Sequence, residues 1–431
     1  MSVYEFPKNF KWGSATSAHQ VEGNNHNDWS EWESSSERIS QLKKEGKDPA
    51  NFISGKACDS YNRYAEDFDI AKNLNQNIHR FSIEWSRIEP EEGRFDDKEM
   101  QHYIDVVKSL RDRGIEPMIT LWHFTNPVWF ANKGGFLSRK SPQYFTRYVK
   151  YVVSNLKNQV GLWITFNEAT TAHSSLSYLK GFWPPQHKNI FKWRRVNRNI
   201  VRAHIEAYKD IKKIYGDSPV SFDNKNTQIP LNPAPQNPKG DTSHNVEVGV
   251  SENISYGVSG NKLYQKLLGR IYIYYRNFYF WTNAFPYYDF MGFNYYNVDR
   301  RVPGSLKSLP KQDLDIEMNW EIYPEGIYKL LLNFKRFNRP IYITENGIAD
   351  VTDQKRAKFI KDHLYWIWKA IQDGVDVKGY LYWSLLDNFE WAYGFKPRFG
   401  LVEVDFNTLE RHIRPSAHEY AKICIDNQLN Y

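Results

Sequence analysis

Cysteine is nearly absent. Cys58 and Cys424 are the only two in 431 residues, and nothing near them has metal-ligand spacing. A disulfide-stapled fold and a thiolate metal centre are excluded, and free thiols in a reducing compartment are expected. No stretch approaches the roughly 18 apolar residues of a membrane span. The start, Met1-Ser2-Val3-Tyr4-Glu5-Phe6-Pro7, lacks the apolar core of a secretory leader. A soluble, cytoplasmic protein without a membrane partner is expected. The formal charge of +7 is dispersed. The runs Lys192-Trp193-Arg194-Arg195 and Lys335-Arg336 read as solvated helix faces, so nucleic acid is not an expected partner. His102, His123, His173, His187 and His204 form no ligand grouping, and neither metal nor organic cofactor is expected. Internal repeats are also missing.

Aromatic residues are abundant: 15 Trp, 29 Tyr and 26 Phe. Many must serve the core, but so many Trp also suit stacking on sugar faces. Eight short apolar segments read as strands buried on both faces: 10–18, 77–85, 117–124, 162–168, 219–223, 289–296, 340–345 and 378–386. Helical patterns lie between them. Met100, Tyr103, Ile104 and Val107 recur before Gly114, and Phe359, Ile360, His363, Leu364, Ile367 and Ile371 recur before Gly374. Ser141-Pro142 reads as an N-cap followed by proline at the first helical position. Strand then helix, repeated, predicts an α/β fold: a (β/α)8 TIM barrel, one catalytic domain over residues 1–431 with long βα loops. The polar, proline-rich stretch 230–261 reads as a long loop after the fifth strand.

Active sites of such barrels lie at the carboxyl ends of the strands. There the chain places Gln20 and Glu22, then Arg80, Trp122 and His123, then Asn167 and Glu168. Asn294, Tyr295, Tyr296, Glu345, Asn346, Trp383, Glu390 and Trp391 complete the set. Two carboxylates ending separate strands, in Thr165-Phe166-Asn167-Glu168 and Thr344-Glu345-Asn346-Gly347, are what glycosidic bond cleavage needs. Glu345 would be the nucleophile and Glu168 the acid/base. Asn167 could bind the sugar 2-hydroxyl. Arg80 would keep Glu345 ionised, and the Tyr296 hydroxyl could position it. Taken singly, each has a plainer reading: a loop carboxylate, a packed histidine or tryptophan, a core ion pair. The signal is their conjunction at one end of nearly every strand.

Over nearly its whole length the chain resembles family 1 glycoside hydrolases, the β-glucosidase family. The resemblance rests on four motifs: residues 10–23, from Phe10-Lys11-Trp12-Gly13 to Gln20-Val21-Glu22-Gly23; Arg80-Phe81-Ser82-Ile83-Glu84-Trp85-Ser86-Arg87-Ile88; Tyr342-Ile343-Thr344-Glu345-Asn346-Gly347; and Tyr382-Trp383-Ser384-Leu385-Leu386-Asp387-Asn388-Phe389-Glu390-Trp391. It implies a retaining exo-β-glycosidase acting by double displacement through a glycosyl-enzyme, with the carboxyls about 5 to 5.5 Å apart. It further implies that Gln20, His123, Asn167, Glu390 and Trp391 bind the non-reducing sugar on a Trp383 platform. Asn294 and Tyr296 also belong to that site and support the catalytic carboxylates. Glu390 stands where relatives acting on 6-phosphoglycosides carry small and basic residues, so an unphosphorylated glucoside is expected, with galactosides and fucosides as further substrates. A carbohydrate-binding pseudoenzyme and a transglycosylase on the same scaffold are the alternatives. The chain departs from the family where Ala169 replaces the proline after the acid, in the order Trp122-His123, and after the fifth strand.

Overall fold

The computed structural model describes residues 2–217, 246–257, 262–300, 313–315 and 317–431. Eight parallel strands close into a barrel: β1 Lys11–Ala15, β2 Ile78–Ser82, β3 Glu116–Thr120, β4 Leu162–Asn167, β5 Glu247–Asn253, β6 Phe290–Asn294, β7 Ile341–Asn346 and β8 Val377–Trp383. Strands β2, β4, β6 and β7 are buried at every position, which is why they read as apolar runs without alternation. The amino ends of the strands are plugged by Ile78, Met118, Leu162, Ile164, Phe290, Tyr342 and Leu381. Space there is tight: a Cβ on Gly249 would stand 2.5 Å from the Phe290 ring.

The outer layer is helical: α1 Ser60–Asn73, α2 Asp97–Asp112, α3 Ser141–Leu156, α4 Ile190–Ile214, α5 Leu263–Ile273, α6 Tyr279–Ala284, α7 Glu325–Phe334, α8 Arg356–Gln372 and α9 Pro415–Asp426. Sequence spacing explains the faces they bury. In α4, Val196, Ile200, Ala203, Ala207 and Ile211 are buried at intervals of three and four. Asp96 caps α2 through Lys98 N and Glu99 N, and Asn189 caps α4 through Phe191 N and Lys192 N.

Two expectations need correction. The stretch 230–261 is not loop throughout, because residues 247–253 form the fifth barrel strand, between β4 and β6. The segment 219–223, expected to be that strand, lies outside the described residues. Ser141 is not an N-cap. It is already the first residue of α3, with Lys140 at the cap and, among the described residues, no hydrogen-bond partner for its buried hydroxyl.

Candidate active site

Glu345 is the next-to-last residue of β7 and is buried. Arg80, from the middle of β2, donates Nη1 to Glu345 Oε1 at 2.6 Å. Tyr296, just past β6, donates its hydroxyl to Oε2 at 2.6 Å. Burial raises the pKa of this carboxyl, while the guanidinium and phenol pull the other way. Glu168 follows β4 directly and takes a left-handed backbone, φ 45°. Such a conformation costs a non-glycine residue about 1–3 kcal/mol and persists where surrounding bonds enforce it. Here the Glu168 amide donates to Ser251 O at 2.6 Å. Among the described residues its carboxylate receives two amides, Asn294 Nδ2 at 2.8 Å and Asn253 Nδ2 at 3.1 Å, both on Oε1. Burial, and then the charge of Glu345, push its pKa up to about 8. The carboxyl pair is therefore asymmetric. Near neutral pH the proton belongs on Glu168, while Arg80 and Tyr296 favour the charged form of Glu345.

The amides around the pair have forced orientations. Asn294 Oδ1 accepts from Ser251 Oγ at 2.7 Å and Thr344 Oγ1 at 2.8 Å, so its nitrogen must face Glu168. Asn167 Oδ1 accepts from Arg80 Nη2 at 2.6 Å and Asn294 Nδ2 at 3.0 Å. Its nitrogen therefore donates to His123 Nε2, 3.1 Å away. That leaves the His123 proton on Nδ1, a buried donor with no partner among the described residues. Burial and the Arg80 charge hold His123 neutral, well below its ordinary pKa. A cleft of about 900 Å3, its open mouth included, is walled by these groups and by Trp383, Trp391 and Glu390. The His123 ring is nearly parallel to Trp383 and Trp391, at interplanar angles of 19° and 12°. Farther out, Trp183, Trp320, Phe182 and Met318 make apolar walls. Half-buried Glu390 is also pushed up to about 8, by burial and then by the other two carboxylates.

Gln20 is placed differently from its neighbours. It is fully buried beside Glu390, and its amide is already engaged by Ser17, Asn388 and Phe389. Glu22, at the same strand end, turns away. It pairs with Arg87 at 2.9 Å and lines a separate cavity with Tyr103 and His102. Trp122 and Asn346 stand behind the cleft, bonded to Asn126 and to Tyr295 O. His173 packs under Phe124, with rings at 17°. Among the described residues no group of His, Cys, Asp and Glu could hold a metal ion.

Three contributors follow from the relocated fifth strand. Asn253 ends it and reaches Glu168. Glu252 receives Thr170 Oγ1 at 2.8 Å, and the backbone amides of Thr170 and Thr171 at 3.2 Å. It thereby pins the π-helical turn Ala169–His173 that begins where the family has proline. Arg276 holds both oxygens of Asn253, its carbonyl and its side-chain Oδ1, so the Asn253 nitrogen is aimed at Glu168. The alternation Val246-Glu247-Val248-Gly249-Val250 carried the strand signal.

Comparison with known proteins agrees with this geometry. The family model for glycosyl hydrolase family 1 matches residues 2–262 and 285–429. Beta-glucosidase A of Acetivibrio thermocellus is 34% identical, covering 99% of this chain and 100% of its own. Beta-glucosidase A of Thermotoga maritima is 33% identical with both chains fully covered. The structure of a beta-glycosidase from Pyrococcus horikoshii superposes with a TM-score of 0.84 at 34% identity, over 100% of this chain and 97% of that one. A beta-galactosidase of Saccharolobus solfataricus and a 6-phospho-beta-galactosidase of Staphylococcus haemolyticus are further relatives. A closed parallel barrel, paired carboxyls at its carboxyl end and a match along almost the whole chain lead to one conclusion: this chain belongs to glycosyl hydrolase family 1 and is a glycoside hydrolase.

Proposed function

We propose that the chain is a retaining exo-β-glycosidase for unphosphorylated β-D-glucosides, also taking galactosides and fucosides, and works as a single catalytic domain. The observation that carries this reading is the asymmetry about Asn294. Glu345 is held charged by Arg80 and Tyr296, while Glu168 keeps its proton among amides. Glu345 Oε attacks the anomeric carbon as Glu168 gives its proton to the leaving oxygen. The bond from that carbon to the aglycone breaks, leaving a glycosyl ester on Glu345. Glu168, now charged, takes a proton from water, whose oxygen displaces Glu345. The second displacement restores the β configuration.

Binding follows from the unspent donors and faces. His123 Nδ1–H and the Glu390 carboxyl point to hydroxyls, and Trp383 and Trp391 offer flat faces to the ring. Gln20 reaches a hydroxyl by exchanging its 3.4 Å contact with Glu390. Glu390 brings no cation to a 6-phosphate, and its carboxyl repels one wherever it is ionised, so family membership, which includes the 6-phospho-beta-galactosidase relative, does not by itself set the substrate. Both cysteines are free and buried, which supports a reducing, cytoplasmic setting.

The test is proton NMR of aryl β-glucoside hydrolysis. The β-anomer of glucose should appear first, and the α-anomer only by mutarotation. An α-anomer as first product overturns the retaining reading. Turnover of a 6-phosphoglucoside above that of the glucoside overturns the substrate reading.

A further inference from the structure

Residues 263–284 lie between the two spans matched by the family model. They carry α5, a π-helical turn and α6, and α5 shows nearly its whole length to solvent. Leu263 is 86% exposed, Leu267 59% and Ile271 49%, with Tyr264 and Leu268 beside them. Spaced four apart, the first three form one row along the helix. Lys262, Lys266 and Arg270, all exposed, form a second row next to it. Gly269 is the only buried residue of the helix. A helix of 11 residues is marginal alone in water, and a row of exposed leucines adds to that cost.

The surroundings specify what covers it. No Asp or Glu occurs from residue 253 to 288, or from 189 to 205. The second segment opens α4, which adjoins this region through Trp193 and Tyr275, their ring centroids 5.2 Å apart. There Phe191, 76% exposed, stands among exposed Arg194, Arg195 and Arg198. An apolar row flanked by cations, with tyrosines and no acid on either segment, matches an interface between hydrocarbon and phosphate, and Asp299 beside Tyr272 is already engaged by its hydroxyl. A second copy fits poorly, since two-fold pairing would set the basic row against itself.

We propose that this face docks on an anionic lipid surface, with α5 lying in the headgroup plane, its leucine row inserted and its basic row on the phosphates. Tyr272 and Arg276, on the half-buried side of this segment, line a groove with Asp299 and Glu321 that shares Asn253, Tyr296 and Trp320 with the cleft. Lying on a membrane needs no spanning segment. The absence of a helix long and apolar enough to cross one, among the described residues, is a separate matter.

The experiment is vesicle flotation of the full chain, with equimolar phosphatidylglycerol and phosphatidylcholine against phosphatidylcholine alone. Binding is expected on the mixed vesicles only, weakening as salt rises. The triple change Lys262→Glu, Lys266→Glu, Arg270→Glu should weaken it about a hundredfold or more. The change Leu263→Ser, Leu267→Ser, Ile271→Ser should abolish it, and both variants should hydrolyse a soluble aryl glucoside at the parent rate, as a check that they fold. Failure to bind the mixed vesicles overturns the proposal. So does equal binding to neutral ones, or triple variants that bind like the parent. A dimer by light scattering that becomes monomeric in the leucine variant would assign the face to a second copy and also overturn it.

Discussion

The two carboxyls of the cleft have unlike surroundings. Around Glu345 the donors are a guanidinium and a phenol, each at 2.6 Å. Around Glu168 they are two neutral amides. Burial raises both pKa values, so desolvation alone would not distinguish them. The difference lies in the charge and hydrogen bond that Arg80 brings to Glu345, whereas Glu168 meets the repulsion of Glu345 and only the last-ranked pull of Arg276. One protein environment thus sets up an acid and a nucleophile from the same functional group.

The comparison breaks most completely at Glu345→Gln. Loss of the nucleophile should lower kcat/KM on the order of 10^5-fold on every aryl glucoside, whatever its leaving group. A fall below tenfold would remove Glu345 from that role. Glu168→Gln should discriminate between substrates. A poor leaving group needs the proton and should lose about 10^2 to 10^4 in rate, whereas an activated phenol should still be expelled, with glycosyl-enzyme accumulating as a burst. The parent enzyme should show a bell-shaped kcat/KM profile whose alkaline limb falls near pH 8, where free Glu168 loses its proton. With the activated substrate that limb should vanish in Glu168→Gln.

Arg276→Met sharpens the contrast more gently. Arg276 lowers the Glu168 pKa and orients Asn253. Its removal should move the alkaline limb to higher pH and cost several-fold in kcat, while Arg276→Lys restores part of the shift. An unmoved limb would show that Asn253 holds its orientation unaided. The smallest effect is on stability. The folded Glu168 pKa of about 8 exceeds the unfolded value of 4.5, so the unfolded chain releases this proton first as pH rises. Its contribution is harmless below pH 4.5 and increasingly destabilising up to about 8. Tm of Glu168→Gln should equal the parent's at pH 4 and exceed it by a few degrees at pH 8.

Much of this was legible in the chain because strands enclosed on both faces leave apolar runs that stop where polar side chains begin. Seven barrel strands and the cluster of Arg80, His123, Asn167, Glu168, Asn294, Tyr296, Glu345, Trp383, Glu390 and Trp391 follow from that. The fifth strand showed only a short alternation, Val246 to Val250, within an otherwise polar stretch. Residues 247–253 include two glutamates, a serine and an asparagine, and the bonds that Glu252 makes to Thr170 and Thr171 depend on a turn remote in sequence. Arg276 was equally hidden, since its significance depends on Asn253. Glu22 misled because strand-end position says nothing of direction, and Arg87 draws it to the other side.

The indole rings that floor and flank the cleft, Trp183, Trp320, Trp383 and Trp391, carry a practical consequence. A hexose settling against them displaces solvent from their faces and changes the polarity their excited states experience. Intrinsic emission should therefore report occupancy directly, giving a label-free titration that works even in a variant too slow to assay by turnover.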